Sequence, residues 1–198
     1  MSPRPYRLKQ RRAGMDATRS RIIAAARNVL VSDDAFTFEA VAREAGVARI
    51  TIYDRFGGRE ALVEAIFDDL AESGGLTRLP EAFSEAEPPA AIERFVRIFC
   101  DFYSAHRLLL RRLDAMAVLG RSALESGGRN ARRLEGLRVL LTRVADADHA
   151  GADGPDVLHA AHVLTGFAFV DEFAGPDGDP SDIATSLVAL VKRVAKLD

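Results

Sequence analysis

An all-α fold of about nine helices, with a small helix-turn-helix unit ahead of a larger helical body, is what this sequence predicts. Three observations predict it. Apolar residues recur at three- and four-residue intervals in segment after segment, and no segment shows a convincing alternation of period two. Residues 37–56 hold two short helical patterns joined by the glycine-centred turn Ala45-Gly46-Val47-Ala48. The length of 198 residues with 48% hydrophobic content allows a small unit fused to a larger one with its own core.

Taken in order, residues 1–15 read as a disordered basic tail, with five basic residues (Arg4, Arg7, Lys9, Arg11, Arg12), two prolines and no acid. A helix starting near Asp16 or Thr18 carries the stripe Ile22, Ala26, Val29, Leu30. Thr37 stands where an N-cap belongs, and the short helix behind it ends at Gly46, suited to a left-handed C-terminal position. Arg49 to Phe56 forms a third helix, Gly57-Gly58 breaks the chain, and a helix over about 60–72 links the head to the body. Residues 73–89, rich in Gly, Glu and Pro, read as a long connection. The stripe Ile92, Phe95, Val96, Phe99, Tyr103 marks one helix, and Arg107 to about Leu119 marks the next. Gly120 to Asn130 reads as a loop or frayed start, and Ala131–Ala147 as a helix striped by Leu134, Leu137, Leu141 and Val144. After a loop at His149–Gly154, Pro155 opens a helix expected to run to Phe173, and Pro180 opens the last, over about 181–197. The domains expected are therefore the tail (1–15), a reading head (16–59) and a larger body (60–198).

Charge divides the same way. Residues 1–59 hold 12 Lys+Arg against 6 Asp+Glu, whereas the whole chain has a net charge of −2. A basic head on an acidic body points the head at a polyanion. No apolar stretch approaches the roughly 18 residues that span a bilayer, and the basic N-terminus lacks a signal-peptide core. A cytoplasmic protein with no membrane partner is expected. The single cysteine, Cys100, excludes an intramolecular disulfide and a cysteine-rich zinc site. Nucleophile elbow, P-loop, dinucleotide and zincin motifs are missing from the sequence, so neither an enzyme nor a cofactor is expected.

The residues of the head have a physical logic. Small side chains at Ala42 and Ala45 let two helices cross closely, Val41, Val47 and Ile52 seal the crossing, and Gly46 can take a positive φ. The outer face of the second helix then presents Arg49, Thr51, Tyr53 and Asp54, which suit base edges and phosphates. The alternative is an ordinary helical hairpin with a solvated face.

The run from Thr37 to Leu62 resembles the signature of the tetracycline-repressor (TetR/AcrR) family. In that signature a helix-turn-helix joins a fourth helix through a Tyr-x-x-Phe-x-x-(Lys/Arg)-Glu-x-Leu segment, here Tyr53, Phe56, Arg59, Glu60 and Leu62. The resemblance covers about residues 16–70. It implies a homodimeric transcriptional regulator, mostly repressors of palindromic double-stranded operators released by small ligands. Thr37, Tyr53 and Arg59 would meet phosphates, and Arg49, Ile50 and Thr51 would face the major groove. Three positions depart from the pattern. Ala48 replaces the usual Ser or Thr cap, Gly58 stands where Ser is common, and Asp54 stands where an aromatic is frequent. A carboxylate at 54 repels phosphate unless it accepts from cytosine or orients Arg55 or Arg49. The basic tail either follows phosphates or merely solubilises; a steeper salt dependence in the full chain than in one truncated at Met15 marks the first, and equal slopes the second.

In the body, the 155–173 segment is apolar on more than one side, which calls for cover on more than one side. With helix 181–197 it is the expected homodimer surface. The resemblance also implies a ligand cavity in this domain, and Phe99, Tyr103, Leu113, Met116, Leu137, Leu141, His162 and Phe167 are the expected lining, with Tyr103 and His162 as polar handles. Asp156, His159 and His162 have spacing that can hold a metal, but interface or surface histidines explain them more simply. The rival readings are a DNA-binding dimer with no small ligand, and a helical small-molecule-binding protein that has lost DNA reading.

Overall fold

The computed structural model of the chain describes residues 4–32, 35–119, 127–147 and 151–197. It is all-helical: ten α-helices and no strand among the described residues. They are α1 (Arg4–Val31), α2 (Phe38–Ala45), α3 (Arg49–Phe56), α4 (Arg59–Ser73), α5 (Leu79–Ser84), α6 (Pro88–Leu119), α7 (Gly127–Asp146), α8 (Pro155–Leu164), α9 (Phe167–Ala174) and α10 (Ala184–Val194).

Two compact units result. The first holds residues up to Leu70 together with Arg111–Leu124; the second holds Ala71–Leu110 and the chain from Glu125 onward. In the first, α1 packs chiefly on α2. Ile22, Ala26, Val41, Ile52, Leu62 and Ile66 are fully buried, Ile22 and Ala26 being part of the stripe expected on α1. The ion pair Arg27–Asp69, 2.6 Å, ties α1 to α4 beside that core. In the second unit the largest buried side chains are Phe95, Ile92, Ile98, Leu137, Leu140 and Leu141. A chain of aromatic contacts runs along α6 from Phe95 through Phe99 (4.9 Å) to Tyr103 (5.8 Å) and on to Phe167 of α9 (5.4 Å).

The structure differs from the sequence reading at several elements, each for a local reason. α1 begins at Arg4, so residues 4–15 are helical where an unstructured tail is expected. Arg, Leu, Lys and Gln are good helix formers, and a proline such as Pro5 is tolerated in a first turn. The connection 73–89 contains a single 3-10 turn, Leu76–Arg78, and the short α5. The two helices expected over 92–119 are one, kinked at His106 (φ −128°, ψ 18°). The helix expected over 155–173 is two. Thr165 turns its hydroxyl back onto the Ala161 carbonyl (2.8 Å), and Gly166 takes the extended conformation that starts α9. Such back-bonding competes with the helical ladder. The last helix begins at Ala184 rather than near Pro180. Most of the expected 120–130 loop and His149 of the 149–154 loop lie outside the described residues.

Arg107, on the C-terminal side of the kink in α6, anchors the turn after α9. Its guanidinium reaches the Asp171 carboxylate (2.5 Å) and backbone and also the carbonyls of Gly175 and Gly178. Ser104 adds a bond to Asp179 (2.9 Å).

Candidate nucleic-acid interface

The head is built from three local devices. Thr37, extended at the N-cap of α2, accepts from the backbone N–H of Ala40 (3.1 Å). Gly46 ends α2 at φ 63°, and its N–H returns to the Ala42 and Arg43 carbonyls. An L side chain is disfavoured there, so glycine is what lets the turn be this short. Ala48 opens α3 with no side-chain cap, as its methyl requires. Replacing it by threonine is expected to stabilise the protein by about 0.5–2 kcal/mol. Thermal unfolding of Ala48→Thr checks this; an unchanged or lower Tm contradicts the cap argument.

α3 buries Ile52 and Phe56 and turns its other residues outward. Ile50 is 64% exposed. Arg49, Tyr53 and Asp54 are exposed, and Thr51 and Arg55 are half-buried. Tyr53 stands with its ring edge-on to Phe38 (4.7 Å, 74°), which fixes where the hydroxyl points. Arg49 lies over that ring (5.4 Å), donates to its hydroxyl (3.1 Å) and pairs with Glu39 of α2 (2.7 Å). The bond to Tyr53, then the charge of Glu39, holds the Arg49 guanidinium above its ordinary range. The sequence reading offered Asp54 as the group that orients Arg49 or Arg55. Among the described residues Asp54 makes no ion pair with either, and Glu39 and Tyr53 hold Arg49 instead. Arg59, exposed at the start of α4, rests over Phe36 (5.4 Å). Thr37, Arg49, Ile50, Tyr53, Asp54 and Arg59 thus all keep solvent-facing surface in one small unit.

Residues 22–66 match the family model for bacterial regulatory proteins of the tetR family. Solved structures share its fold. A TetR-like transcriptional regulator from Rhodococcus sp. RHA1 is 19% identical, with 89% of this chain and 94% of that one covered and a TM-score of 0.66. NalD of Pseudomonas aeruginosa, described as the secondary repressor of the MexAB-OprM multidrug efflux pump, is 21% identical over 90% of this chain and 95% of its own, with a TM-score of 0.64. No curated protein sequence matches this chain.

The residues expected to line a ligand cavity are assigned to both units. Phe99, Tyr103, Leu137, Leu141, His162 and Phe167 belong to the second unit, whereas Leu113 and Met116 belong to the segment of α6 that falls in the first. Tyr103 is buried and its hydroxyl donates to the Thr165 carbonyl (3.0 Å). Burial pushes that hydroxyl up to about 12, so it stays protonated. His159 is exposed against the Pro155 carbonyl (2.8 Å) while His162 faces Arg133 of α7 (3.4 Å). The two histidines therefore have separate partners, and no group of three metal-ligating side chains occurs among the described residues. No helix among them is long and apolar enough to cross a membrane.

Arg133 is the residue of this region that the sequence reading missed. A signal was available: it stands four residues before Leu137, on the stripe that α7 buries. Burial, then the charges of Arg133 and His159, holds His162 below the usual histidine range of about 6.5. A neutral native histidine that charges on unfolding binds fewer protons than the unfolded chain. Its contribution is complete above pH 6.5 and is lost as the pH falls. Tm is expected to drop on acidification below pH 6.5, and His162→Gln to flatten that dependence. A steeper acid slope in the variant contradicts it.

Proposed function

We propose that this chain is a DNA-binding regulator, a homodimeric repressor that occupies a palindromic operator and is released by a small effector held in its second unit. The observation that carries the DNA-reading half is the outward face of α3, where an exposed isoleucine sits beside an arginine clasped by Tyr53 and Glu39. A thymine methyl in a major groove gives that isoleucine a partner. Thr37, Tyr53 and Arg59 supply phosphate contacts on either side, and Arg49, Ile50 and Thr51 read bases.

Dimerism is supported by α8 and α9. In the single chain Val163 is 61% exposed and Phe173 is 42% exposed, and Val157, Leu158 and Leu164 are only half covered. A second copy covering α8, α9 and α10 removes that apolar surface from water and gives the two α3 helices a fixed separation. Reading successive major grooves needs about 34–36 Å between them. An effector that binds one spacing better than another shifts the population away from DNA. Cytoplasmic residence follows from that role.

The test is fluorescence anisotropy on duplexes from upstream of the protein's own gene and its neighbours, with sedimentation velocity on the same preparation. A dimer that binds one of these duplexes at least about a thousandfold more tightly than unrelated DNA is expected. A strict monomer, or equal affinity for all duplexes, overturns the proposal.

A further inference from the structure

Arg133 is a cation that the second unit buries without an anion. It is only 8% exposed, and no carboxylate pairs with it among the described residues. One guanidinium nitrogen, Nη1, is fully engaged, donating to the His162 carbonyl (2.6 Å) and to the Thr165 hydroxyl (2.7 Å). The other, Nη2, has only two long contacts of 3.4 Å, to Asn130 Oδ1 and to His162 Nε2. Nε has no partner among the described residues. A guanidinium can only donate, so the contact to His162 makes Nε2 the acceptor and leaves the proton of the neutral ring on Nδ1. That Nδ1 is buried and has no partner.

The cluster is thus short of acceptors and of negative charge at once. A buried unpaired guanidinium and a buried orphan N–H are each costly, and one incoming group relieves both deficits only if it is an anion rich in acceptors. The α8 C-terminus gives a partial negative charge, but Nη1 alone satisfies it, and Nη2 and Nε stay underused. The planar fork that these two nitrogens form matches a carboxylate, and a single negative charge balances a single buried cation. Nearby chemistry is apolar: Tyr103, which shares Thr165 with Arg133, has its ring tilted against Phe99 and edge-on to Phe167.

We infer that Arg133 and His162 bind the carboxylate of a small acid whose apolar body lies against Phe99, Tyr103 and Phe167. The inference rests on reading the second unit as the effector domain, and it names the effector class: a monocarboxylic acid with an aliphatic or aromatic tail.

The probes are straight-chain carboxylic acids from butanoate to dodecanoate, with benzoate and phenylacetate, each matched by its primary amide. Calorimetric titration and thermal shift use the full chain at pH 7. At least one acid is expected to bind about ten- to a hundredfold more tightly than its amide. Arg133→Gln is expected to erase that preference, and Arg133→Lys, which keeps the charge, to retain part of it. Amides that bind as well as their acids, or no binding by any acid, overturn the inference. The wild-type acid-against-amide comparison stands even where a variant fails to fold. Operator binding on the same preparation separates the two readings. An acid that binds at this cluster yet leaves DNA bound contradicts release by effector and keeps the anion site. Release only by neutral compounds does the reverse.

Discussion

Arg49→Ala is expected to weaken operator binding by about ten- to a hundredfold and to relax sequence preference at one base pair of each half-site. The guanidinium is exposed, and its fork is presented by two contacts, the Tyr53 hydroxyl and the Glu39 carboxylate, before any DNA arrives. Both contacts are solvent-exposed, so they orient the side chain more than they stabilise the fold. The variant's Tm is expected to stay within a degree or two of the parent's, which separates lost reading from lost structure. Tyr53→Phe keeps the ring on Phe38 and loses only the hydroxyl, so its deficit is expected to be smaller and the same on every sequence. Anisotropy titrations against a set of single-base operator variants measure both. A uniform loss for Arg49→Ala makes it a phosphate contact; no loss removes it from the interface.

Phe95→Ala is expected to cost about 3–5 kcal/mol of stability, the range for emptying a buried aromatic site. Phe95 is 1% exposed, touches the rings of Phe83 (6.2 Å) and Phe99 (4.9 Å), and lies where a Cβ on Gly136 would approach its ring to 3.1 Å. The crossing of α6 and α7 at Gly136 is therefore filled by this ring, and little else can collapse into the gap. Urea denaturation gives the number. A loss under 1 kcal/mol would mean that the neighbouring rings close the cavity. For a chain of this length the corresponding fall in Tm is about ten degrees.

The head was legible in the sequence because its determinants are local. Thr37 as a cap, Ala42 and Ala45 at the crossing, and Gly46 in the turn each act within a few residues, and the structure places each as their chemistry requires. The partnership of Arg49 with Glu39 was not legible, because it spans the turn and depends on the angle between α2 and α3. In the body the apolar stripes located the helices but not their continuity. Nothing in Thr165-Gly166 breaks the helical pattern of apolar residues; the break comes from a hydroxyl returning to Ala161 while also accepting from Arg133. His106 is no helix breaker by type either, yet α6 kinks there. Leu113 and Met116 continue the stripe of α6, but the stripe passes from one unit into the other, and periodicity carries no mark of where that happens.

Selection from a pool of random duplexes tests the central claim most directly. Enrichment is expected of an inverted repeat whose half-site centres lie about one helical turn, 10–10.5 base pairs, or a multiple of it apart. Ile50→Ala is expected to erode preference within those half-sites. A pool that stays unenriched after several rounds at moderate salt, or a wild-type motif that is a single unrepeated site, would contradict it.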